Sequence, residues 1–308
     1  MNVKNIYLKT MKFVWLKLAV GAAVTLISVL LLGICAGIGL LLKSEAATLV
    51  MVTIWLILSV GVYEFAMYYV GYMIKAAHVA IITTAVCTGQ IPDNMVETGK
   101  NMVKERFAAS NAYFVLDRLI SGAVKQLQKV VGGIDNIFGG IPGVSTLVNF
   151  LQVFIGIALG YVDECCLGYT FYKKDDGAFK CGCDGVVIYF QNAKHLLKNA
   201  AVTSLIVVVA TFVAWIIPFV IIGGIFALLN WSALIAFFLA LMVSMVVKAA
   251  FIDSYMLVKM MVSYMEVAPQ TEITYDLYDK LCKLSSKFRE LFRKAKNEMP
   301  AGALETSI

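Results

Sequence analysis

Asn199–Val247 reads NAAVTSLIVVVATFVAWIIPFVIIGGIFALLNWSALIAFFLALMVSMVV. The tract is 49 residues long and contains no charged side chain. A helix needs about 20 apolar residues to cross a bilayer, so the tract is too long for one span and right for two. Asn230–Trp231–Ser232 supplies the turn between them, and Pro218 with Gly223–Gly224 is expected to bend the first arm. The second arm carries Lys248, Asp253 and Lys259, runs on to Glu266 and is stopped by Pro269.

The composition of the whole chain agrees. Of 308 residues, 60% are hydrophobic and only 15% are charged. Soluble domains carry about 25% charged residues. A surplus of apolar surface this large cannot be hidden in one core, so lipid must solvate it. The fold class is therefore all-α: a polytopic membrane protein with four spans as two helical hairpins. A re-entrant or fifth hydrophobic segment and amphipathic interfacial helices complete the expectation.

The first hairpin fills residues 1–91. Leu18–Leu42 is 25 residues without a charge. Signal-peptide apolar regions are about 7–15 residues long, so this run is a helix that stays in the membrane, spanning roughly Phe13–Leu42. Lys43–Ser44–Glu45 breaks it. The second span starts at Ala46, passes Glu64 and Lys75, and stays helix-compatible to Thr88–Gly89. At 1.5 Å per residue such a helix of ~40 residues rises about 60 Å, so it extends past the bilayer into the cytoplasm. Tyr63, Tyr68, Tyr69 and Tyr72 form an aromatic band near that exit. Gly33 and Gly37, like Gly156 and Gly160, stand at the GxxxG spacing that lets two helices approach closely.

Residues 92–143 form an amphipathic cytoplasmic or interfacial segment, with a helix expected over Asn111–Val131. Residues 144–172 form the re-entrant or fifth segment, and 173–198 a cytoplasmic loop or helix. Residues 199–268 hold the second hairpin and 269–308 an amphipathic tail. In Thr271–Asn297, Ile273, Leu277, Leu281, Leu284, Phe288, Leu291 and Phe292 fall on one stripe, with basic residues crowding the other faces. Such a helix is expected on an anionic lipid surface or against a neighbouring subunit.

Basic residues outside the spans are uneven. The first seventeen residues hold four, 75–143 seven, 173–198 five and the tail seven, whereas the loops at 43–45 and 230–232 share only Lys43. The positive-inside rule then puts both termini in the cytoplasm. It also creates a parity problem, because 144–172 has cytoplasmic-type flanks on both sides. Three solutions exist. The segment turns back inside the protein, it lies in the interface, or Asn111–Val131 also crosses. The re-entrant reading is preferred, since irregular backbone at membrane depth occurs where protein or a wet cavity surrounds it.

Asp163 and Glu164 follow nineteen uncharged residues, Val144–Val162. Intramembrane acids are costly and tend to be functional. With Tyr161, Tyr169 and Tyr172 they make a candidate cation site. Glu64, Lys248 and Asp253 join them as candidates to line one polar path. The competing reading is structural: carboxylates that cap a helix or pair with a lysine, and tyrosines of the interfacial belt. Lys248 and Asp253 should face each other poorly, being about 140° apart on an α-helix. Seven scattered cysteines match no disulfide framework or zinc pattern. No P-loop, GxSxG or HExxH is present, so no enzyme, cofactor or metal is expected. No basic stripe alternates with stacking aromatics, so nucleic acid is not an expected partner.

Leu196–Leu197–Lys198–Asn199 ahead of the final hairpin, and Phe251, Asp253, Ser254 and Leu257 within its last span, resemble the choline transporter-like solute carrier family. The resemblance covers about 110 residues of the C-terminal half. It departs at Met261 and Val262, where the family has acidic residues, and the chain is shorter than the family's ten or so spans. It implies an organic-cation carrier. The expected function is a transport protein, carrier or channel, for a small cationic solute, assembled as a homo-oligomer in the lipid bilayer. The alternative is a non-transport scaffold that shapes membranes.

Overall fold

The computed structural model describes residues 2–107, 112–132, 156 and 159–298, and among these it is helical with no strand. Four helical runs are long and apolar enough to cross a membrane: Met11–Gly39, Glu45–Thr88, Leu205–Leu228 and Ala233–Gln270. The expected all-α polytopic architecture is thus the observed one. The chain divides into two units.

The membrane unit comprises Met11–Lys75 and Val207–Ser254. Helix α2 (Met11–Leu42) turns at Lys43, whose φ of 46° suits the tight reversal, into α3 (Glu45–Ala66), whose N-cap is Ser44. Gly39 and Thr48, and Ser28 and Ser59, stand symmetrically about that turn and meet across the hairpin. A Cβ on Gly39 would touch Thr48 Oγ1 at 3.3 Å. Leu26, Leu30, Leu41, Leu49 and Ile57 are exposed, as befits helices solvated by hydrocarbon. A wide turn over Met67–Gly71 follows α3 and leads into α4 (Tyr72–Thr88). After α9 (Ala193–Leu228), the Asn230–Ser232 turn leads to α10 (Ala233–Val247), a second wide turn over Lys248–Ile252, and α11 (Asp253–Val267). Pro218 sits inside α9, which continues through it.

The second unit gathers Met1–Thr10, Ala76–Ile206 and Tyr255–Ile308. Apart from the ends of the long helices, its described residues form helices not among the four candidate spans: α1 (Val3–Lys9), α5 (Met95–Arg106), α6 (Ala112–Gly132), α7 (Val162–Tyr172), α8 (Ala178–Gln191), α12 (Tyr275–Leu284) and α13 (Ser286–Lys296). Five of them run 10–14 residues, about 15–21 Å, short of the ~30 Å hydrocarbon layer. Its core contains Ala76, Val79, Ile81 and Ile82 of α4, Leu116 and Ile120 of α6, and Val186–Tyr189 of α8. The apolar sequence that is solvated by lipid at the start of Glu45–Thr88 is thus buried in protein at its end. Gly168 of α7 makes this packing possible, because a Cβ there would run into Met261 and meet Thr83 Oγ1 at 3.0 Å.

One expectation is corrected here. The tail is two helices: Ser285 ends α12 and caps α13 by accepting from the Phe288 N–H at 3.0 Å. Of its apolar stripe, Leu281, Phe288 and Leu291 are buried against α6 and α8, Ile273, Leu277 and Phe292 are half-buried, and Leu284 is exposed. Gln126 of α6 fastens the junction, accepting from Ser285 Oγ at 2.7 Å and from the Lys287 N–H at 3.1 Å. In α6, part of the segment read as cytoplasmic or interfacial, Leu116, Leu119, Ile120, Val124 and Leu127 are buried. Segments read as separate regions, 92–143, 173–198 and 269–308, share one unit.

Candidate functional site

The eight candidate residues fall in both units. Glu64, Lys248 and Asp253 belong to the membrane unit; Tyr161, Asp163, Glu164, Tyr169 and Tyr172 belong to the other.

In the membrane unit, Lys248 Nζ stands 2.6 Å from Asp253 Oδ1. An α-helix would hold these side chains apart. The wide turn brings them together: the Asp253 N–H bonds back to the Lys248 carbonyl, five residues away, so residue i+5 stacks over residue i. Both side chains are 36% exposed. Lys17 Nζ of α2 donates to Ser254 Oγ at 2.8 Å, adding a second cation beside the turn. Counted at 1.5 Å per residue from the Ser232 turn, Asp253 lies about 30 Å along its helix, one hydrocarbon thickness. Glu64 lies a similar ~30 Å from the Ser44 turn. These charges therefore mark the end of each span remote from its turn. Glu64 is exposed on α3, just before the wide turn over Met67–Gly71. Phe65, Tyr68 and Tyr69 follow it on that surface, all exposed, with Phe65 and Tyr69 ring centroids 4.9 Å apart.

Deeper in the same unit is a polar cluster that the sequence reading missed. Ser28 Oγ and Ser59 Oγ are 2.6 Å apart, and Trp55 Nε1 donates to the Ser28 carbonyl at 2.9 Å. Trp55 is fully buried and packs with Cys35 and Leu239. The available signal was the mirror placement of the two serines about the Lys43–Ser44 turn.

Asp163 and Glu164 occupy the first turn of α7, where a negative charge is favoured by the helix dipole. Ser121 Oγ of α6 donates to Asp163 Oδ2 at 3.1 Å, and Glu164 is buried. Nine of the eleven residues of α7 are buried in protein, and α7 is not one of the candidate spans. Residues 144–155, 157 and 158, the body of the proposed re-entrant segment, lie outside the described residues. Tyr161 is half-exposed at the N-cap of α7; Tyr169 and Tyr172 pair with ring centroids 6.0 Å apart. Burial pushes the Tyr169 hydroxyl up to about 12, so it stays neutral.

Two further polar ties hold this unit. His78 Nε2 lies 3.1 Å from Thr10 Oγ1, which spends its own proton on the Ile6 carbonyl at 2.9 Å. The imidazole must therefore donate through Nε2. Buried Asp184 receives Tyr278 Oη and Lys180 Nζ, the latter at 2.9 Å. Burial works against the Lys180 charge, but the Asp184 carboxylate outweighs it and raises the ammonium to about 12. Cys165, Cys166, Cys181 and Cys183 are buried free thiols, and burial raises all four. They are poor nucleophiles as a result. Among the described residues no three His, Cys, Asp or Glu side chains are grouped to hold a metal.

No family model, curated protein or solved structure matches the chain.

Proposed function

We propose that the protein is a multi-pass membrane carrier or channel for a small cation, in which Asp253 is the carboxylate that receives the cation. The observation that carries this reading is the Lys248–Asp253 ion pair on a wide turn within a membrane-spanning run. Wide turns inside helices recur at functional sites. The pair is neutral and partly exposed, so an incoming cation can take the place of the Lys248 ammonium without stripping a buried carboxylate of its only partner. The resemblance of Phe251, Asp253, Ser254 and Leu257 to the last span of an organic-cation carrier family points to a quaternary or primary ammonium as the cargo.

Four crossings return both termini to one side, and the charge distribution makes that side the cytoplasm. The Gly33–Gly37 face supports a homo-oligomer: a Cβ at either position would touch nothing within 4 Å among the described residues. A membrane-shaping scaffold would need the apolar stripe of the tail in lipid, and Leu281, Phe288 and Leu291 of that stripe are buried in protein.

Uptake of choline, Na+ and K+ into proteoliposomes tests the reading. Native protein should give saturable uptake of one of them, and Asp253→Asn should abolish it. Lys248→Met removes the built-in competitor and should lower the half-saturating concentration. Native uptake no faster than in empty liposomes, or full uptake by Asp253→Asn, would end this assignment.

A further inference from the structure

The side of α6 opposite its buried stripe carries Arg118, Lys125 and Lys129, all exposed. At about 100° per residue they fall within an arc of about 40°, and the first and last stand about 16 Å apart along the axis. The residue between them on that arc is Gly122. A Cβ there would meet Lys287 Cγ at 3.1 Å, so the stem of Lys287 from α13 crosses α6 at this point. The Lys287 ammonium is held by Glu290 at 2.9 Å, which makes that pair neutral. Asp117 and Asp163 flank the arc and have contacts of their own, Asp163 accepting from Ser121 Oγ at 3.1 Å. Among the described residues, Arg118, Lys125 and Lys129 make no hydrogen bond or ion pair. Other basic side chains of the unit are balanced. Lys180 is paired with Asp184, and Arg106 donates to the carbonyls that follow α7. Lys100 and Lys104 alternate with exposed Glu97 and Glu105 on α5.

We infer that this face of α6 binds an anionic membrane surface. Lys125 and Lys129 are like charges four residues apart, an arrangement that destabilises a helix by itself and is relieved by anions. A compact anion reaches one or two of three cations spread over about 16 Å, whereas a sheet of headgroups meets all three at once. The arc offers no aromatic ring to stack on a base or to anchor a protein interface. A chain with four candidate spans is never without a bilayer. The inference stands independently of cation transport.

The full chain in phosphatidylcholine nanodiscs provides the test, with phosphatidylserine placed in the disc or supplied as added vesicles. Acetylation of lysines by an N-hydroxysuccinimide ester, read by peptide mass spectrometry, reports each ammonium separately. Phosphatidylserine by one route or the other should slow acetylation of Lys125 and Lys129 more than that of Lys100 and Lys104. Molar salt, with its Debye length of about 3 Å, should abolish the difference. Arg118 is exposed opposite the core, so Arg118→Gln leaves the fold intact. It should weaken the protection of Lys125 and Lys129 about fivefold, the weight of one basic residue near an anionic surface. No selective protection by either route, undiminished protection in Arg118→Gln, or equal protection by soluble glycerophosphoserine at the same headgroup concentration would each overturn the inference. So would protection by polyglutamate matching that by vesicles of equal charge, which would mark an acidic protein as the partner.

Discussion

Single side chains decide whether an apolar helix has one partner or many. Ser28 and Ser59 give the first hairpin a fixed register, since sliding by one residue would strand both hydroxyls in hydrocarbon. Ser28→Ala should cost about 0.6 kcal/mol and no more than ~1.7 kcal/mol, the measured range for hydrogen bonds between membrane helices. Because the two hydroxyls share one bond, the Ser28→Ala/Ser59→Ala pair should lose less than the sum of the singles in a detergent unfolding titration. The cysteines make a second residue-scale prediction. Burial lifts the Cys181 thiol from 9.0 to about 12, against the pull of Arg106. The folded chain keeps this thiol neutral where the unfolded chain would ionise it. Its contribution is complete below about pH 9 and is lost as pH rises towards 12. The melting temperature read by near-ultraviolet circular dichroism should therefore fall between pH 9 and pH 11, and less steeply in Cys181→Ser. Sequence reasoning singled out Lys248 and Asp253 and then separated them by the α-helical wheel. It could not foresee a turn of different pitch, because Lys248–Ile252 contains no proline or glycine to announce one.

At the scale of elements, hydrophobic periodicity located helices well and their partners poorly. The helix expected over Asn111–Val131 runs Ala112–Gly132, and the hairpin turns at 43–45 and 230–232 are where the charge gap and the Asn-Trp-Ser triplet put them. An amphipathic stripe, however, is the same pattern whether lipid or protein covers it. Phe288, Leu291 and Leu281 were expected on a lipid surface or against a neighbouring subunit, and α6 and α8 of the same chain cover them. Phe288→Ala should therefore cost about 3–5 kcal/mol, as emptying a core site does. Denaturant unfolding in detergent would register that loss, and a tail that merely rests on a bilayer would show none. Gln126→Ala leaves the 285–287 junction without its acceptor. Hydrogen exchange across Ser286–Lys296 should quicken while Trp55 fluorescence, reporting the membrane unit, stays unchanged. The Gly33–Gly37 face makes the opposite kind of prediction. Gly33→Ile with Gly37→Ile should leave the fold intact, there being space for both side chains. It should also abolish cross-linking between copies if two chains pair there.

For the whole molecule, composition was enough to establish an all-α membrane protein, because no soluble packing hides this much apolar surface. It was not enough to show that 1–10, 76–206 and 255–308 form one unit, since its pieces meet only after the spans between them are placed. Asp163 and Glu164 open a helix whose burial by other helices of the unit the local sequence does not announce. The N-terminus of α8 carries one more tie of this kind. Gly177 has no side chain to cap the helix, and Glu298 does so from the tail, its Oε2 accepting from the N–H groups of Phe179 at 2.8 Å and Lys180 at 3.2 Å. A side chain at 177 would occupy the space of that carboxylate. This gives the unit a schedule. A ribosome adding about 5–20 residues per second needs some 6–24 seconds to travel from residue 177 to residue 298. Throughout that interval α8 has been made but its cap has not, and α13 is absent from the core. The first hairpin can meanwhile insert and pair. Chains stalled with residue 270 just outside the exit tunnel should thus be cleaved readily by protease within 162–190, and chains stalled past 298 should resist. The membrane unit is finished piece by piece as its hairpins emerge, and the other unit only once residue 298 has been made.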